Sequence, residues 1–319
     1  MNTPAIDILG LTKDYPVGFW RKRMRRSLDN LTLRVEEGEI FGFLGPNGAG
    51  KTTTLKLLTG LIFPTLGTAS VRGRPISDIR MHREIGYLPE QPYFYDYLTA
   101  RELLDYYARF SRFPRAERRE RTERLLERVG LASAGDIQLR KYSKGMLQRV
   151  GIAQAILHDP LVIFLDEPMS GLDPVGRREV RDIVLGLKQQ GRTVFFSTHI
   201  LSDAEMLCDR VAVLHQGKLL GVGAPSEIVS IEIHAMEILF ETRDGCPLPP
   251  NLAATATRTG GRCRIAVPEG SLYETLGQLQ SCQARILSVA PVRPTLEDYF
   301  LRLIGGGEQV SPAVEARHS

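Results

Sequence analysis

The sequence lacks two features whose absence narrows its function: a long hydrophobic run and paired cysteines. No apolar stretch approaches the roughly 18–20 residues of a membrane-spanning helix. The segment up to Gly10 has neither the basic nor the long apolar region of a signal peptide, so we expect a soluble chain that is not exported. No C-x-x-C pair is present to hold zinc or perform redox chemistry. We interpret the cysteines as reduced structural thiols: Cys208, Cys246, Cys263 and Cys282.

The sequence also lacks a dominant charge. Its formal net charge of +4 is too small to indicate a nucleic-acid partner by itself. One segment departs from this balance, because five cations follow the aromatics Phe19 and Trp20: Arg21, Lys22, Arg23, Arg25 and Arg26. Such a cluster can lie on an anionic lipid surface or bind a phosphate backbone, and it can also be a solvated loop tip.

A glycine-rich segment between a predicted strand and a predicted helix is the most specific feature that is present. It follows the apolar run 40–44 and fits the pattern G-x-x-x-x-G-K-[ST]. Glycines let consecutive backbone N–H groups turn towards a polyphosphate, and the following helix N-terminus adds partial positive charge. Lys51 can reach the β- and γ-phosphates, and the Thr52 hydroxyl can bind Mg²⁺. The sequence therefore predicts a nucleoside triphosphate site at Gly45, Pro46, Asn47, Gly48, Ala49, Gly50, Lys51, Thr52 and Thr53.

A second apolar run, residues 161–165, is typical of a strand buried on both faces of a parallel sheet. It places Asp166 and Glu167 at the carboxyl end of that strand, where open α/β sheets bind ligands. We expect Asp166 to hold Mg²⁺ opposite Thr52, and Glu167 to polarise the water that attacks the γ-phosphate.

Another polar segment, residues 142–149, precedes that strand and opens a predicted helix. Ser143 and the exposed N–H groups beside it could form a second phosphate-binding end. The alternative is that Ser143 caps its own helix and has no further role.

These motifs, in this order, resemble the ATP-binding-cassette (ABC) ATPases, and the resemblance covers residues 5–230. Residues 45–53 take the place of the Walker A loop and residues 161–167 that of the Walker B strand. Residues 142–146 take the place of the family signature, and residues 170–173, which end at Asp173, match the D-loop. His199 matches the switch histidine, and Tyr15 is the candidate to stack on adenine.

The resemblance implies a shared mechanism. Two ATPase domains, either two copies or a copy and a sister ATPase, pair head to tail and enclose ATP and Mg²⁺ between them. Residues of one subunit then act on the nucleotide of the other, and His199 contacts the γ-phosphate and helps align the water with Glu167. The residues implied on the partner-facing side are Ser143, Lys144, Gly145, Met146 and Asp173.

Three departures from the family pattern stand in the sequence. Lys144 and Met146 replace the glycine and glutamine of the signature, while Ser143 and Gly145 remain. Glu90 replaces the usual glutamine of the Q-loop; a carboxylate there can still approach Mg²⁺ or water. The basic cluster separates Tyr15 from the first long predicted strand, so Phe19 or Trp20 could take over the contact with adenine.

The fold expected from this pattern is α/β. We predict a P-loop ABC ATPase domain over residues 1–230, with a mixed sheet core and a helical subdomain. A small α/β accessory domain over 231–305 and a disordered tail over 306–319 follow it. The accessory domain could sense a ligand, stabilise a dimer or simply pack against its neighbour.

The resemblance also suggests a task. The chain has one cassette and neither a zinc module nor a long coiled coil, which favours a transporter subunit that works with separate membrane subunits. We expect it at the cytoplasmic face of the inner or plasma membrane, docked through an aromatic run at 93–97 and in part through the basic cluster. The segments 142–146, 87–90 and 294–300 resemble the branch that serves ABC-2-type membrane subunits. The competing hypothesis is a soluble ATPase that grips nucleic acid or the ribosome with the cations of 21–26, although no nucleic-acid partner is expected.

Overall fold

The computed structural model describes residues 3–18, 23–228, 235–242, 249–259 and 261–292. The described residues up to Ile228 form one compact unit, and those from Ala235 to Val292 belong to a second. No helix in these ranges is long and apolar enough to cross a membrane. The segment 294–300, the tail over 306–319 and Cys246 lie outside the described residues.

The first unit contains ten strands and seven α-helices within the described ranges. The strands are β1 (Ile6–Val17), β2 (Arg23–Val35), β3 (Ile40–Leu44), β4 (Leu66–Val71), β5 (Arg74–Pro75), β6 (Ile85–Leu88), β7 (Val162–Asp166), β8 (Thr193–Thr198), β9 (Arg210–His215) and β10 (Lys218–Gly223). The helices are α1 (Lys51–Leu58), α2 (Ala100–Phe110), α3 (Arg115–Arg128), α4 (Lys144–Ala155), α5 (Pro174–Gln189), α6 (Leu201–Leu207) and α7 (Pro225–Ile228).

The central sheet has six strands in the order β10-β9-β3-β8-β7-β6, parallel except for β10. Strands β3, β7 and β8 are buried along their whole length, as continuous apolar runs predict. Phe41 and Phe195 stack with their rings 5.5 Å apart and hold the middle of the sheet together. Because β3, β7 and β8 run in the same direction, the segments that follow them meet at one edge, and this is where the predicted site residues lie.

An antiparallel sheet, β2-β1-β4-β5, forms a second layer. Its inward side chains share one core with α1 and with one face of the central sheet, while α2, α4 and α5 share a second core with the other face. β1 continues past Tyr15 to Val17, and β2 begins at Arg23 rather than at Leu28. The expectation that a basic insertion separates Tyr15 from the strands is therefore wrong, because Arg25 pairs directly with Tyr15.

The helical part of the first unit follows β6. α2 begins with a capping box, since Thr99 Oγ1 accepts from Glu102 N and a Glu102 oxygen accepts from Thr99 N. Phe110 lies two helical turns after the buried Leu103, a spacing that predicts burial, yet it is 68 % exposed. Phe110 instead belongs to a group of aromatic side chains at the surface.

The second unit is a four-stranded antiparallel sheet in the order β12-β13-β11-β14. Its elements are β11 (Ala235–Glu241), α8 (Pro250–Thr255), β12 (Thr257–Thr259), β13 (Arg262–Pro268), α9 (Leu272–Ser281) and β14 (Arg285–Val292). The buried residues on these elements form a separate small core: Ile238, Phe240, Leu252, Cys263, Ile265, Val267 and Leu279. Ion pairs such as Arg264–Glu237 also join neighbouring strands. The α/β character predicted for this region is confirmed.

Candidate active site

A cavity of about 630 Å³ opens at the carboxyl edge of the central sheet. The segment after β3, Glu167 at the end of β7 and the paired ends of β1 and β2 all contribute to its wall. The structure thus brings Tyr15, the glycine loop, Glu90 and Glu167 to one place. The lining residues are Tyr15, Val17, Arg25, Arg26, Ser27, Asn47, Gly48, Gly50, Lys51, Thr52, Thr53, Glu90, Glu167 and Gln216.

The glycine loop has the backbone shape that its sequence predicts. Gly50 has a φ of +109°, and a Cβ added to it would lie 2.6 Å from Ser27 O, so glycine is required there for both conformation and space. α1 begins at the next residue, Lys51, which is buried. Lys51 Nζ donates to Gly45 O at 2.6 Å and to Pro46 O at 3.2 Å. The lysine is therefore held against the loop that it would have to leave to reach a phosphate.

Asp166 lies directly behind Thr52, which lines the cavity. Thr52 Oγ1 donates to Asp166 Oδ1 at 3.3 Å, and Ser197 Oγ donates to the same oxygen at 2.6 Å. Asp166 Oδ2 is buried and has no hydrogen-bond partner among the described residues. Burial raises the pKa of Asp166; the carboxylates of Glu90 and Glu167 act in the same direction, while the two hydrogen bonds oppose them. A buried carboxylate with one free oxygen beside a hydroxyl suits a hard divalent cation.

Glu167 lies between two cationic or proton-donating groups. One of its oxygens is 3.2 Å from Lys51 Nζ, and the other is 2.8 Å from His199 Nδ1. Glu167 also has a φ of +50°, a strained backbone for a non-glycine residue, and its N–H donates to Ser197 Oγ at 3.1 Å. Strain of this kind persists only where surrounding contacts enforce it. Here those contacts fix the direction of the carboxylate.

Ser197 is a site residue that sequence reasoning missed. It lies in the buried strand β8, two residues before His199, and its hydroxyl bonds to both members of the acidic pair. The available signal was a hydroxyl residue directly after the apolar run 194–196. We expect Ser197→Ala to weaken Mg²⁺-dependent activation about tenfold, because side chains that orient a metal ligand typically contribute that much. Titration of ATPase activity with Mg²⁺ at saturating ATP measures it, and Ser202→Ala is the control; an unchanged titration would contradict the role.

The structure keeps the predicted partner-facing residues apart from this cavity. Ser143 caps α4, accepting from Met146 N at 3.2 Å, and Asp173 caps α5, accepting from Gly176 N at 2.8 Å. Lys144 is exposed, and its Nζ lies against Gly171 of the D-loop. None of the residues Ser143, Lys144, Gly145, Met146 and Asp173 lines the cavity that contains Lys51.

Tyr15 is half-buried and lines the cavity, and Lys13 Nζ lies 5.2 Å from the centre of its ring. Phe19 and Trp20, the alternative aromatics, lie outside the described residues. Glu90, the predicted metal or water ligand, also lines the cavity. Arg25, Arg26, Ser27 and Gln216 line it as well, and sequence reasoning did not assign them to the nucleotide site.

Comparisons with known proteins agree with this geometry. Residues 28–170 match the family described as ABC transporter. The chain is 45% identical over 300 residues to an uncharacterized ABC transporter ATP-binding protein of Synechocystis sp., covering 93% of this chain and 84% of that protein. It is 35% identical over 297 residues to the bacitracin transport ATP-binding protein of Bacillus licheniformis, covering 89% and 94%.

A solved structure shows the same arrangement of elements. It is an ATP-binding cassette in a dimeric, post-hydrolysis state bound to ADP and Pi. The TM-score is 0.63 at 26% identity, and the match covers 69% of this chain and 98% of that one.

Proposed function

This chain belongs to the ABC transporter family as an ATP-binding, ATP-hydrolysing subunit, and from that premise we propose that it couples a composite ATP site to ABC-2-type membrane subunits. Subunits of this family dimerise and work with membrane subunits. The observation that carries the proposal is the position of Glu167, in the cavity wall between Lys51 and His199.

That position defines the chemical step. In the ATP complex Lys51 leaves the loop carbonyls for the β- and γ-phosphates, which frees one oxygen of Glu167 for a water molecule. His199 keeps the other oxygen and holds the carboxylate in place. Glu167 then accepts a proton from the water. At the same time the water oxygen bonds to the γ-phosphorus, and the bond between the γ-phosphorus and the β–γ bridging oxygen breaks. The products are ADP and phosphate.

The site also fits Mg²⁺. Thr52 and Asp166 would hold the ion, and Glu90 is a third candidate ligand because it lines the same cavity. The unpartnered Oδ2 of Asp166 supports this assignment. When bound, the ion neutralises charge on the phosphate oxygens. Ser197 keeps Asp166 oriented towards its partners through the short hydrogen bond to Oδ1.

A second subunit completes the site in this proposal. The support is the exposure of Ser143 and Lys144 at the start of α4, away from the chain's own cavity. There the Ser143 hydroxyl, the Gly145 N–H and the Lys144 ammonium would face the partner's ATP, with Met146 and Asp173 beside them. The partner can be a second copy or a sister ATPase.

The docking surface for the membrane subunit is an aromatic patch on the helical part of the first unit, formed by Tyr93, Tyr95, Tyr97, Tyr106 and Phe110. Tyr93 is 91 % exposed, and the rings of Tyr106 and Phe110 meet edge-on at 5.3 Å. Exposed, mutually packed aromatics suit a helix-in-groove contact. Docking there would place the chain at the cytoplasmic face of the membrane.

Tyr106→Ala combined with Phe110→Ala tests this surface. We expect at least a tenfold loss of co-purification with the membrane subunit in mild detergent, because exposed aromatic anchors dominate such contacts. Basal ATPase activity should stay within twofold of the unaltered chain. Tyr273→Ala, at an 84 % exposed tyrosine of the second unit, is the matched control. Equal recovery of the membrane subunit with both variants would reject the patch as the docking surface.

The domain boundaries are also part of the proposal. Residues 1–230 form the ATPase domain, 231–305 an accessory domain and 306–319 a tail. Binding to nucleic acid has less support, because Arg26 is already ion-paired with Asp14 and Asp29 and lines the cavity together with Arg25.

A further inference from the structure

The cation cluster after Trp20 ends at the nucleotide cavity. β1 and β2 pair antiparallel with Tyr15 directly opposite Arg25 and Asp14 opposite Arg26. Side chains of directly opposed residues leave the same face of a strand pair, with Cβ atoms about 4.5–5.5 Å apart. Both Tyr15 and Arg25 line the cavity that contains Lys51. The register therefore places a guanidinium beside the ring that is proposed to stack on adenine.

The neighbouring cations Arg26 and Lys13 have hydrogen-bond partners, whereas none is seen for the Arg25 side chain among the described residues. Arg26 donates to Asp14 at 2.9 Å and to Asp29 at 2.9 Å, which neutralises it within the strand pair. Lys13 Nζ, beside the Tyr15 ring, donates to Phe63 O at 2.7 Å. The Arg25 side chain is exposed, and within the described part of the chain it forms no hydrogen bond or ion pair with another side chain. Among those residues, none competes with a ligand for its guanidinium.

We propose that Arg25 binds the nucleoside end of ATP, together with Tyr15. The assignment rests on the proposed ATP site, with Tyr15 as the candidate to stack on adenine. A guanidinium is planar, so it can lie against a base or donate to its ring nitrogens, and an ammonium group can do neither as well. The phosphates have other ligands in this chain, namely Lys51 and the amides of the glycine loop.

Arg25 also explains why the strands extend so far. Residues 23–26 would be a solvated tip if their only role were charge, yet they continue β2 along β1 as far as Val17. That extension carries Arg25 to the cavity wall and holds it in fixed register with Tyr15. A binding residue placed on a paired strand is positioned more accurately than one on a loop.

Calorimetric titration of the full chain tests the proposal, with ATP, ADP and inorganic tripolyphosphate as ligands. We expect Arg25→Ala to raise the Kd for ATP and for ADP about tenfold, as expected for loss of one such contact. The Kd for tripolyphosphate should change less than twofold, because that ligand has no nucleoside. Arg25→Lys should resemble Arg25→Ala. Arg23→Ala is the matched control, since Arg23 lies on the same strand and does not line the cavity.

Three outcomes would overturn the assignment. They are an ATP affinity within twofold of the unaltered chain, an equal loss for tripolyphosphate, which would make Arg25 a phosphate ligand, and an equal loss in Arg23→Ala. The double variant with Tyr15→Ala adds a fourth test, because residues that share one base should give less than additive losses. Lys51→Ala separates this inference from the proposed function. If this variant binds both tripolyphosphate and ATP as tightly as the unaltered chain does, the nucleotide site itself is wrong.

Discussion

Glu167→Gln is expected to stop turnover while ATP stays bound. The substitution keeps the shape of the side chain and its bond distance to His199, but the amide cannot accept a proton from water. Loss of a general base typically lowers the rate by about 10²–10⁴-fold, and we expect kcat to fall within that range. If hydrolysis is the step that reopens the dimer, as we propose, the variant should accumulate as an ATP-bound dimer. Steady-state phosphate release and size-exclusion chromatography with Mg²⁺-ATP measure the two effects.

The matched control is Glu120→Gln, the same chemical change at a glutamate whose side chain is 76 % exposed on α3. It should hydrolyse ATP like the unaltered chain and elute as that chain does. Unchanged turnover in Glu167→Gln would remove Glu167 as the base. A rate loss without a trapped dimer would leave the chemistry in place but contradict hydrolysis-driven reopening.

Two inactive variants should restore activity when their chains are mixed. Lys51→Ala removes the phosphate ligand of a chain's own cavity, and Ser143→Arg blocks the surface that faces the partner's nucleotide; each alone should lose at least about 10²-fold in kcat. In a head-to-tail heterodimer, one ATP site contains both the Lys51→Ala cavity of one chain and the Ser143→Arg surface of the other. The other site combines the intact cavity of one chain with the intact Ser143 surface of the other. The heterodimer purified through both tags should therefore have about half of the normal number of intact sites.

The required measurement is ATPase activity after the two chains are co-expressed with different tags and purified through both. Each variant purified in parallel as a homodimer is the control. Should the doubly tagged dimer be as inactive as its parents, Ser143 would belong to the same subunit's site or would only cap α4. A restored rate would show that each ATP is shared between subunits.

Most of the site chemistry could be predicted from the sequence because it follows local rules. A glycine loop after a buried strand, and carboxylates at the end of another, are read from short segments whose backbone conformation they largely determine. Parallel strands then carry these segments to one edge, so Lys51, Thr52, Asp166, Glu167 and His199 meet without any knowledge of side-chain packing. The α/β fold followed from the alternation of apolar runs and amphipathic segments in the same way.

Contacts between segments that are distant along the chain are different, because they become visible only when the packed fold is known. Ser197 bonds to Asp166 across 31 positions of sequence, and its hydroxyl could be assigned only once β7 and β8 were seen side by side. Phe110 fits a buried helical stripe by spacing, yet it is exposed because its side of α2 carries the aromatic patch. The exposure of Phe110 is therefore determined by its neighbours in space and not by its position on the helix.

The start of the chain shows the distinction most clearly. The amino-acid sequence shows a cation cluster close to Tyr15 along the chain, and it leaves lipid, nucleic acid and solvent as possible surroundings of that cluster. The register of β1 against β2 pairs Arg26 with Asp14 and Arg25 with Tyr15, and both arginines line the cavity. A shift of one residue in that register would move each arginine to the face that the other now occupies. Strand register depends on the packing of the whole sheet, and the charge pattern of one segment does not contain it.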